Sequence, residues 1–257
     1  MIQFIDTHTH LYDEAFDQDL DQVVGKIREA GVIRCILPAI DSASFSRQQS
    51  VASRYGDFMP QAMGLHPTSV AENWKDELDF VLEELGKGGY IAVGEIGMDG
   101  YWSKEFIEQQ MEVFRVQLEE AYNRNLPVII HAREATEEIF KVLDSMGGKL
   151  PSGVFHAFSG SYETYERISR YGNFVAGIGG VVTYKNAGVA KAVERIPLDR
   201  IVLETDSPYL TPVPFRGKRN DSSNVVHIAA KIAEIKGCTL EEVAAATTSN
   251  AIRMFGL

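Results

Sequence analysis

Short apolar segments alternate with amphipathic segments along the chain. Apolar residues at helical spacing, such as Leu20, Val23 and Ile27 ahead of Gly31, predict helices between the apolar segments. The apolar segments are rich in β-branched residues and have the length of buried strands. Eight strands are predicted, at residues 2–7, 33–38, 59–65, 90–94, 128–131, 153–158, 174–178 and 200–204.

A strand–helix alternation sustained over 257 residues predicts an α/β protein with the (β/α)8 TIM barrel architecture. The main alternative is a doubly wound sheet, which is disfavoured because no Gly-x-Gly-x-x-Gly turn follows the first strand. The longest helix is predicted around Ile107 and Phe114, and a capping box of Thr239 and Glu242 begins the last one. Since no linker-like segment interrupts the pattern, residues 1–257 are expected to form a single domain.

The composition is that of a globular protein, with 45% hydrophobic and 24% charged residues. No apolar stretch is long enough to span a bilayer and no export signal is evident, so we expect no membrane association. Cys35 and Cys238 lack the paired spacing of a metal cluster, which favours a reduced cytoplasmic protein. The protein is expected to be a monomer or weak oligomer. The net charge of −11 argues against a broad basic surface but leaves a nucleic-acid substrate open.

The histidines of the chain concentrate where the predicted strands end. Five of the six lie there, together with acids at the ends of the fourth and eighth strands. Because the carboxyl ends of barrel strands meet at one rim, where barrel enzymes hold their active sites, these side chains are expected to converge. They are His8, His10, His66, Glu95, His131, His156 and Asp206.

Each of these residues alone has an ordinary explanation. A buried histidine is often part of a hydrogen-bonded core, and an acid after a strand often caps the next helix. Four of these imidazoles and the two carboxylates on one rim, however, would be costly to bury without cations. The four are those of His8, His10, His131 and His156. Asp6, His8 and His10 occupy alternate positions, so we expect them to face the same side of the first strand, with Asp6 supporting the ligands.

The pattern predicts two divalent metal ions, Mg, Mn or Zn, whose identity the sequence leaves open. His8 and His10 would hold one ion, His131 and His156 would hold the second, and Glu95 would bridge them. Two ions about 3.5–4 Å apart can activate water and stabilise both the attacking and the leaving oxygen of a displacement.

The predicted catalytic residues are Asp206 and Glu95. Asp206 would complete the first metal site and act as the general base, because it lies beside the water that must lose a proton. Basic residues near the rim are predicted to contact phosphate. They are Arg133, Arg216, Lys218 and Arg219. The alternative is a salt bridge to a rim acid such as Glu134 for the first of them, and a solvated basic loop for the other three. Trp102, Tyr209 or Phe158 could stack on a base, and the sequence does not distinguish among them.

Several separated motifs resemble those of the TatD-like metal-dependent deoxyribonucleases. The motifs are the strand-one His-x-His, GEIGMD at 94–99, LPVIIH at 126–131, HAFSG at 156–160, LETDSPYL at 203–210, PVPFRGKRN at 212–220 and TSNA at 248–251. The resemblance implies an amidohydrolase-type barrel with a two-metal centre that hydrolyses phosphodiester bonds in DNA, from a 3′ end. It also implies that the six predicted ligands hold the metals, with Glu95 bridging, and that His66 contacts phosphate or substrate.

The sequence departs from the family pattern at two places, and other functions stay open. Ala157 stands where the family commonly has Cys, and residues 221–226 lack the usual Pro and aromatic residue, which puts substrate preference in doubt. One alternative is an amidase, lactonase or deaminase acting on a small molecule, which would not need the basic segment at 215–219. A non-catalytic metal-binding protein is the other, and the complete ligand set argues against it.

Overall fold

The computed structural model describes residues 2–257, and the strand arrangement in that range is the predicted barrel. Each of the eight predicted strands is present, and neighbouring strands run parallel. The strands are β1 (Phe4–Asp6), β2 (Val32–Cys35), β3 (Ala62–Met63), β4 (Ala92–Asp99), β5 (Val128–Arg133), β6 (Gly153–Phe155), β7 (Phe174–Ile178) and β8 (Ile201–Leu203).

The strands form a ring in sequence order. β1 pairs with β2, and β3 to β8 pair consecutively. Single bridges close the two remaining gaps, Leu37 with Gln61 beside β3 and Thr9 with Ser207 at the junction of β1 and β8. Parallel strands joined in order by helices place all eight carboxyl ends at one rim.

Helices surround the strands, as the spacing of apolar residues predicts. The last helix begins with the predicted capping box, in which Thr239 and Glu242 each bond to the other's backbone N–H. The α-helices of the described range are α1 (Leu20–Glu29), α2 (Ser42–Tyr55), α3 (Trp74–Lys87), α4 (Ile107–Arg124), α5 (Thr136–Ser145), α6 (Tyr162–Ser169), α7 (Val189–Arg195), α8 (Val225–Lys236) and α9 (Leu240–Phe255). Among the helices of residues 2–257, none has both the length and the apolar character needed to cross a membrane.

The interior of the barrel is a packed core in which every strand takes part. One apolar residue from each strand, or from the position that follows it, joins this core. The residues are Ile5, Ile36, Ala62, Ala92, Ile129, Val154, Val175 and Val202. Met254 and Phe255 of α9 pack against the same cluster, so the interior is closed by side chains and the chemistry is confined to the opposite rim.

Strand β4 differs from its prediction and carries a bulge that affects the site. It runs from Ala92 to Asp99 rather than ending at residue 94. Val93 pairs with Val128 but Ile96 pairs with Ile130, so β4 has one more residue than β5 between these pairs. Val93 and Ile96 both belong to the larger apolar core that the strands form with the surrounding helices, outside the barrel interior. The extra residue changes the alternation and turns Glu95, which a regular strand would aim outward with Val93, toward the interior.

Candidate metal centre

A cavity of about 620 Å³ opens at the rim formed by the carboxyl ends of the strands. His66, Arg133 and five of the six predicted metal ligands line it. The sixth ligand, His8, is fully buried. A smaller cleft of about 310 Å³ beside Arg47 and Arg54 contains none of the predicted site residues. The structure therefore brings the histidines and acids of the strand ends together, as the barrel prediction requires.

Glu95 lies between two groups of histidines and turns one carboxylate oxygen toward each. Its Oε2 is 3.0 Å from His8 Nε2 and 3.9 Å from His10 Nε2. Its Oε1 is 2.9 Å from His131 Nδ1 and 3.4 Å from His66 Nε2. The close approach of β4 to β5 at this point requires a glycine, because a Cβ on Gly97 would lie 2.1 Å from the His131 carbonyl oxygen.

Asp206 faces the first group of histidines. Its Oδ1 lies 3.5 Å from His10 Nε2 and 3.8 Å from both His8 Nε2 and His156 Nε2. The Asp206 N–H donates to the His8 carbonyl at 2.9 Å, so the backbones of these two predicted ligands are hydrogen-bonded to each other. Asp206 has a φ of 55°, a left-handed conformation that Asp adopts more readily than most residues.

The donor atoms are compatible with divalent metal ions. The Nε2 atoms of His8 and His10 lie only 3.2 Å apart and both turn toward Glu95, an arrangement of lone pairs that a shared cation satisfies. Three groups have all their donor atoms within 4.8 Å of one another. They are His8–His10–Glu95, His8–His156–Asp206 and His66–Glu95–His131.

The grouping differs in one respect from the predicted division into two sites. His156 stacks on His8 with ring centroids 3.4 Å apart, whereas His66 joins Glu95 and His131. His156 Nε2 still lies 3.9 Å from Glu95 Oε1, so Glu95 contacts both groups. His66 Nε2, at 3.4 Å from Glu95 Oε1, is therefore closer to that oxygen than the predicted ligand His156 is.

The pKa values reflect a compact cluster of opposite charges. Burial, together with the charge of His156, lowers the pKa of His8 to about 4. Burial also acts to lower the pKa of His156, but Glu204 and Glu95 outweigh it and raise that pKa to about 10. Burial would raise the pKa of Glu95, yet the neighbouring histidines hold it well below its usual range. The Glu95 carboxylate is therefore ionised at neutral pH.

His131 and Asp206 show the same balance. Burial acts to lower the pKa of His131, but hydrogen bonds to Asp99 and Glu95 raise it to about 9. Burial would raise the pKa of Asp206, whereas the hydrogen bond from His10 and the charge of His156 lower it. Asp206 is thus a carboxylate at neutral pH, the form that can accept a proton.

Asp6 does not share the face of the two strand-one histidines, contrary to the prediction. The strand ends at Asp6 and its neighbour Ile5 points into the barrel core, so the alternation does not continue to His8. The Asp6 carboxylate accepts from the backbone N–H of His8 at 3.2 Å and of Thr205 at 2.9 Å. Asp6 therefore fixes the backbone at His8 and at Thr205, which precedes Asp206.

The basic residues do not all reach the cavity. Arg133 lines it, but Arg216, Lys218 and Arg219 lie outside its lining. Arg216 stacks on Tyr184, with its guanidinium carbon 4.2 Å from the ring centroid. Arg219 differs most from its prediction, because its guanidinium donates to both carboxylate oxygens of Asp19, at 2.9 and 2.6 Å. This pair ties the 212–220 segment to the start of α1.

The comparison with protein families covers nearly the whole chain. A family model described as TatD related DNase matches residues 5–256. The chain belongs to the TatD related DNase family. The family resemblance and the barrel prediction are both confirmed.

Relatives in this family match over nearly their full length. The chain is 40% identical over 251 residues to a Bacillus subtilis protein named "Uncharacterized metal-dependent hydrolase YabD", covering 97% of this chain and 98% of the relative. It is 32% identical over 259 residues to the "3'-5' ssDNA/RNA exonuclease TatD" of Pantoea ananatis, covering 98% and 99%. The crystal structure of YJJV, a TatD homolog from Escherichia coli, superposes with a TM-score of 0.91 at 29% identity, covering 100% and 99%.

Three residues of this TatD family chain contact the outer nitrogens of the histidines and were missing from the predicted site. The Tyr12 hydroxyl lies 2.9 Å from His10 Nδ1, and Asp99 Oδ2 lies 2.8 Å from His131 Nε2. Glu204 Oε1 lies 3.1 Å from His156 Nδ1. A carboxylate or hydroxyl on the outer nitrogen fixes which nitrogen faces a metal. The available signal for Asp99 and Glu204 was their position within the motifs at 94–99 and 203–210, whereas Tyr12 lies in none of the motifs.

Proposed function

We propose that this protein is a divalent-metal-dependent nuclease that hydrolyses phosphodiester bonds of DNA from the 3′ end. The observation that carries the proposal is the position of Glu95, whose two carboxylate oxygens face two separate groups of histidines within one cavity. A bridging carboxylate is what a two-metal hydrolase needs. The exonuclease name of the Pantoea ananatis relative supports nucleic acid as the substrate.

The proposed ligands divide between two ions. His8, His10 and Asp206 would hold the first, His131 and His156 the second, and Glu95 would contact both. Mg, Mn or Zn would serve, and mixed nitrogen and oxygen donors favour Mn or Zn. When bound, the ions supply Lewis acidity that activates water and stabilises negative charge on the phosphate.

The protein residues contribute proton transfer and substrate binding. Asp206 is ionised and lines the cavity, so its carboxylate can take the proton of the attacking water. Arg133 and His66 also line the cavity and are proposed to contact the phosphate. Arg216 and Lys218 are proposed to attract the more distant nucleic-acid backbone.

We also propose that residues 1–257 form one domain, which acts in the cytoplasm as a monomer or weak oligomer. The fully buried thiol of Cys35 suits a reducing compartment. Sedimentation of the purified chain over a concentration series measures the oligomeric state.

The test follows the degradation of 3′-labelled and 5′-labelled single-stranded oligonucleotides. The protein is stripped of metal, then supplied with Mg, Mn or Zn. We expect metal-dependent trimming from the 3′ end, lowered by at least about a hundredfold in Asp206→Asn, the scale of general-base catalysis. Asp57→Asn, which changes an exposed carboxylate outside the cavity lining, is the matched control. No cleavage with any metal would overturn the proposal and direct the search to esters, lactones and amides.

A further inference from the structure

Two large aromatic side chains are exposed at the mouth of the cavity. Trp102 is 70% exposed and Tyr209 is 55% exposed, and both line the cavity. Trp102 follows β4 and Tyr209 follows β8. Because β4 and β8 are four positions apart in an eight-stranded ring, these residues approach the cavity from opposite sides.

The backbone of Trp102 is connected to the metal centre through Asp99. Asp99 Oδ1 accepts hydrogen bonds from the backbone N–H groups of Tyr101, at 2.9 Å, and Trp102, at 3.2 Å. Asp99 Oδ2 lies 2.8 Å from His131 Nε2. One carboxylate therefore fixes both a proposed ligand and the turn that carries the tryptophan, so the indole has a defined position relative to the centre.

A cation packs beside the same aromatic pair. The Arg133 guanidinium carbon lies 3.7 Å from the ring centroid of Tyr101 and 5.5 Å from that of Trp102. Tyr101 and Trp102 contact each other edge to face, with centroids 5.0 Å apart. The rim thus offers an aromatic face next to a positive charge. This combination matches a nucleotide, whose base stacks on an aromatic ring while its phosphate binds a guanidinium.

We propose that Trp102 stacks on a base next to the scissile phosphate, with Tyr209 contacting the substrate from the opposite side of the cavity. This inference rests on the proposed nuclease function and adds specificity-determining residues to it. Asp99 is a positioning residue that holds the Trp102 turn. Since stacking accepts every base, Trp102 selects for an unpaired nucleotide and not for a base sequence.

Tryptophan fluorescence tests the inference directly, because the chain contains two tryptophans. The variant Trp74→Phe leaves Trp102 as the reporter; Trp74 lies at the start of α3, outside the cavity lining. The full-length variant, supplied with the metal ion that supports cleavage, is titrated with a phosphorothioate oligonucleotide that resists hydrolysis. Base stacking should quench the Trp102 emission, and an oligonucleotide with abasic 3′-terminal positions should quench it much less.

Substitutions provide the second readout, measured by the anisotropy of a labelled oligonucleotide. Trp102→Ala should weaken binding by about tenfold or more, the scale of one lost base stack. Trp102→Phe should restore most of the affinity because it keeps an aromatic face. Tyr122→Ala is the matched control, since Tyr122 is 45% exposed on α4 but does not line the cavity.

The outcomes separate this inference from the function on which it rests. If the wild-type protein binds and trims the oligonucleotide while Trp102 emission and Trp102→Ala affinity stay unchanged, the stacking role is overturned and the nuclease function stands. If the wild-type protein neither binds nor cleaves oligonucleotides, both are overturned. Quenching that depends on the terminal bases, with weaker binding by Trp102→Ala, supports the stacking role.

Discussion

Glu204 allows a demanding test of the metal centre, because it lies behind the histidine cluster and not within it. Its Oε1 accepts a 2.5 Å hydrogen bond from the Ala157 N–H and lies 3.1 Å from His156 Nδ1, at ion-pair distance. Its Oε2 is buried without a hydrogen-bond partner in residues 2–257. Gly177 provides the space, since a Cβ there would lie 2.2 Å from Oε2.

The substitution Glu204→Gln keeps the size of the side chain and removes its charge. The amide oxygen can take the place of Oε1, accepting from the Ala157 N–H and facing His156 Nδ1, while the amide nitrogen takes the place of the unpartnered Oε2. His156 then loses the negative charge behind Nδ1, and a carboxylate at that position is what orients a ligating imidazole and raises its basicity. We expect metal affinity at this site to fall about 10- to 100-fold, which is about 1.4–2.8 kcal/mol.

The assay is competition for Zn²⁺ between the protein and a chromophoric chelator, which reports affinity independently of catalysis. Glu84→Gln is the control, because Glu84 is a buried carboxylate bonded to Lys87 and Tyr90 away from the cavity. Glu204→Gln should weaken one Zn²⁺ equivalent and leave the other near its wild-type affinity. If both equivalents bind Glu204→Gln as tightly as the wild type, the role assigned to Glu204 is refuted.

Three further predictions concern metal, charge and salt. Metal at a concentration a hundredfold above its Kd should add about 2.7 kcal/mol to the free energy of unfolding, which raises Tm by roughly 5–11 °C. Calorimetry with and without a chelator measures this shift, and Glu95→Gln should remove most of it. Arg219→Ala should lower the free energy of unfolding by less than about 1 kcal/mol at neutral pH, because exposed ion pairs contribute little to stability. Because Arg219 hydrogen bonds lower the pKa of Asp19 below its usual 3.8, this contribution is present above that value and is lost as pH falls through the lowered pKa. Urea unfolding of the wild type and Arg219→Ala at several pH values measures this contribution. A loss of stability as large at acid pH as at neutral pH would contradict the prediction. Arg216→Ala with Lys218→Ala should flatten the salt dependence of oligonucleotide binding by up to about one unit of slope per residue, whereas Arg219→Ala should leave the slope unchanged.

Local patterns were sufficient to predict the barrel. Most strands are apolar runs, and helices such as α1 and α4 carry apolar residues at helical spacing, so the order of the elements can be predicted before any tertiary contact is considered. The end of β4 was missed because its apolar run stops at residue 94, while the strand continues to Asp99 through pairing with β5. Hydrogen bonds to a neighbouring strand extend a strand regardless of side-chain polarity.

The orientation of Glu95 could not be predicted from alternation. By strict alternation Glu95 shares the outward face of Val93, and only the bulge before Ile96 turns it inward. The prediction that Glu95 joins the histidines therefore depended on its residue type and on the family resemblance. A bulge depends on how two strands meet, which a single strand's sequence does not reveal.

The side chains that surround the proposed ligands were also beyond the sequence. Phe158, Trp102 and Tyr209 were equivalent candidates for stacking until burial separated them, because Phe158 is buried while the other two are exposed at the cavity. Likewise Arg219 belongs to the same basic segment as Arg216, and only the position of α1 shows that it is bound by Asp19. Exposure and ion pairing depend on contacts between distant segments.

The candidate site is located where the barrel closes, so backbone hydrogen bonds between β1 and β8 help to position its side chains. The seam between β1 and β8 includes two hydrogen bonds from the site itself, Asp206 N–H to the His8 carbonyl at 2.9 Å and His10 N–H to the Ser207 carbonyl at 2.8 Å. A bond from the Thr7 N–H to the Leu203 carbonyl, at 2.9 Å, lies beside them. The Asp6 carboxylate adds a bond from the Thr205 N–H across the same seam. The distance between the strand-one histidines and Asp206 is therefore set by the closure of the barrel. A substitution that loosens this seam should disturb the metal centre before it unfolds the protein, because the packed interior of the barrel lies below it.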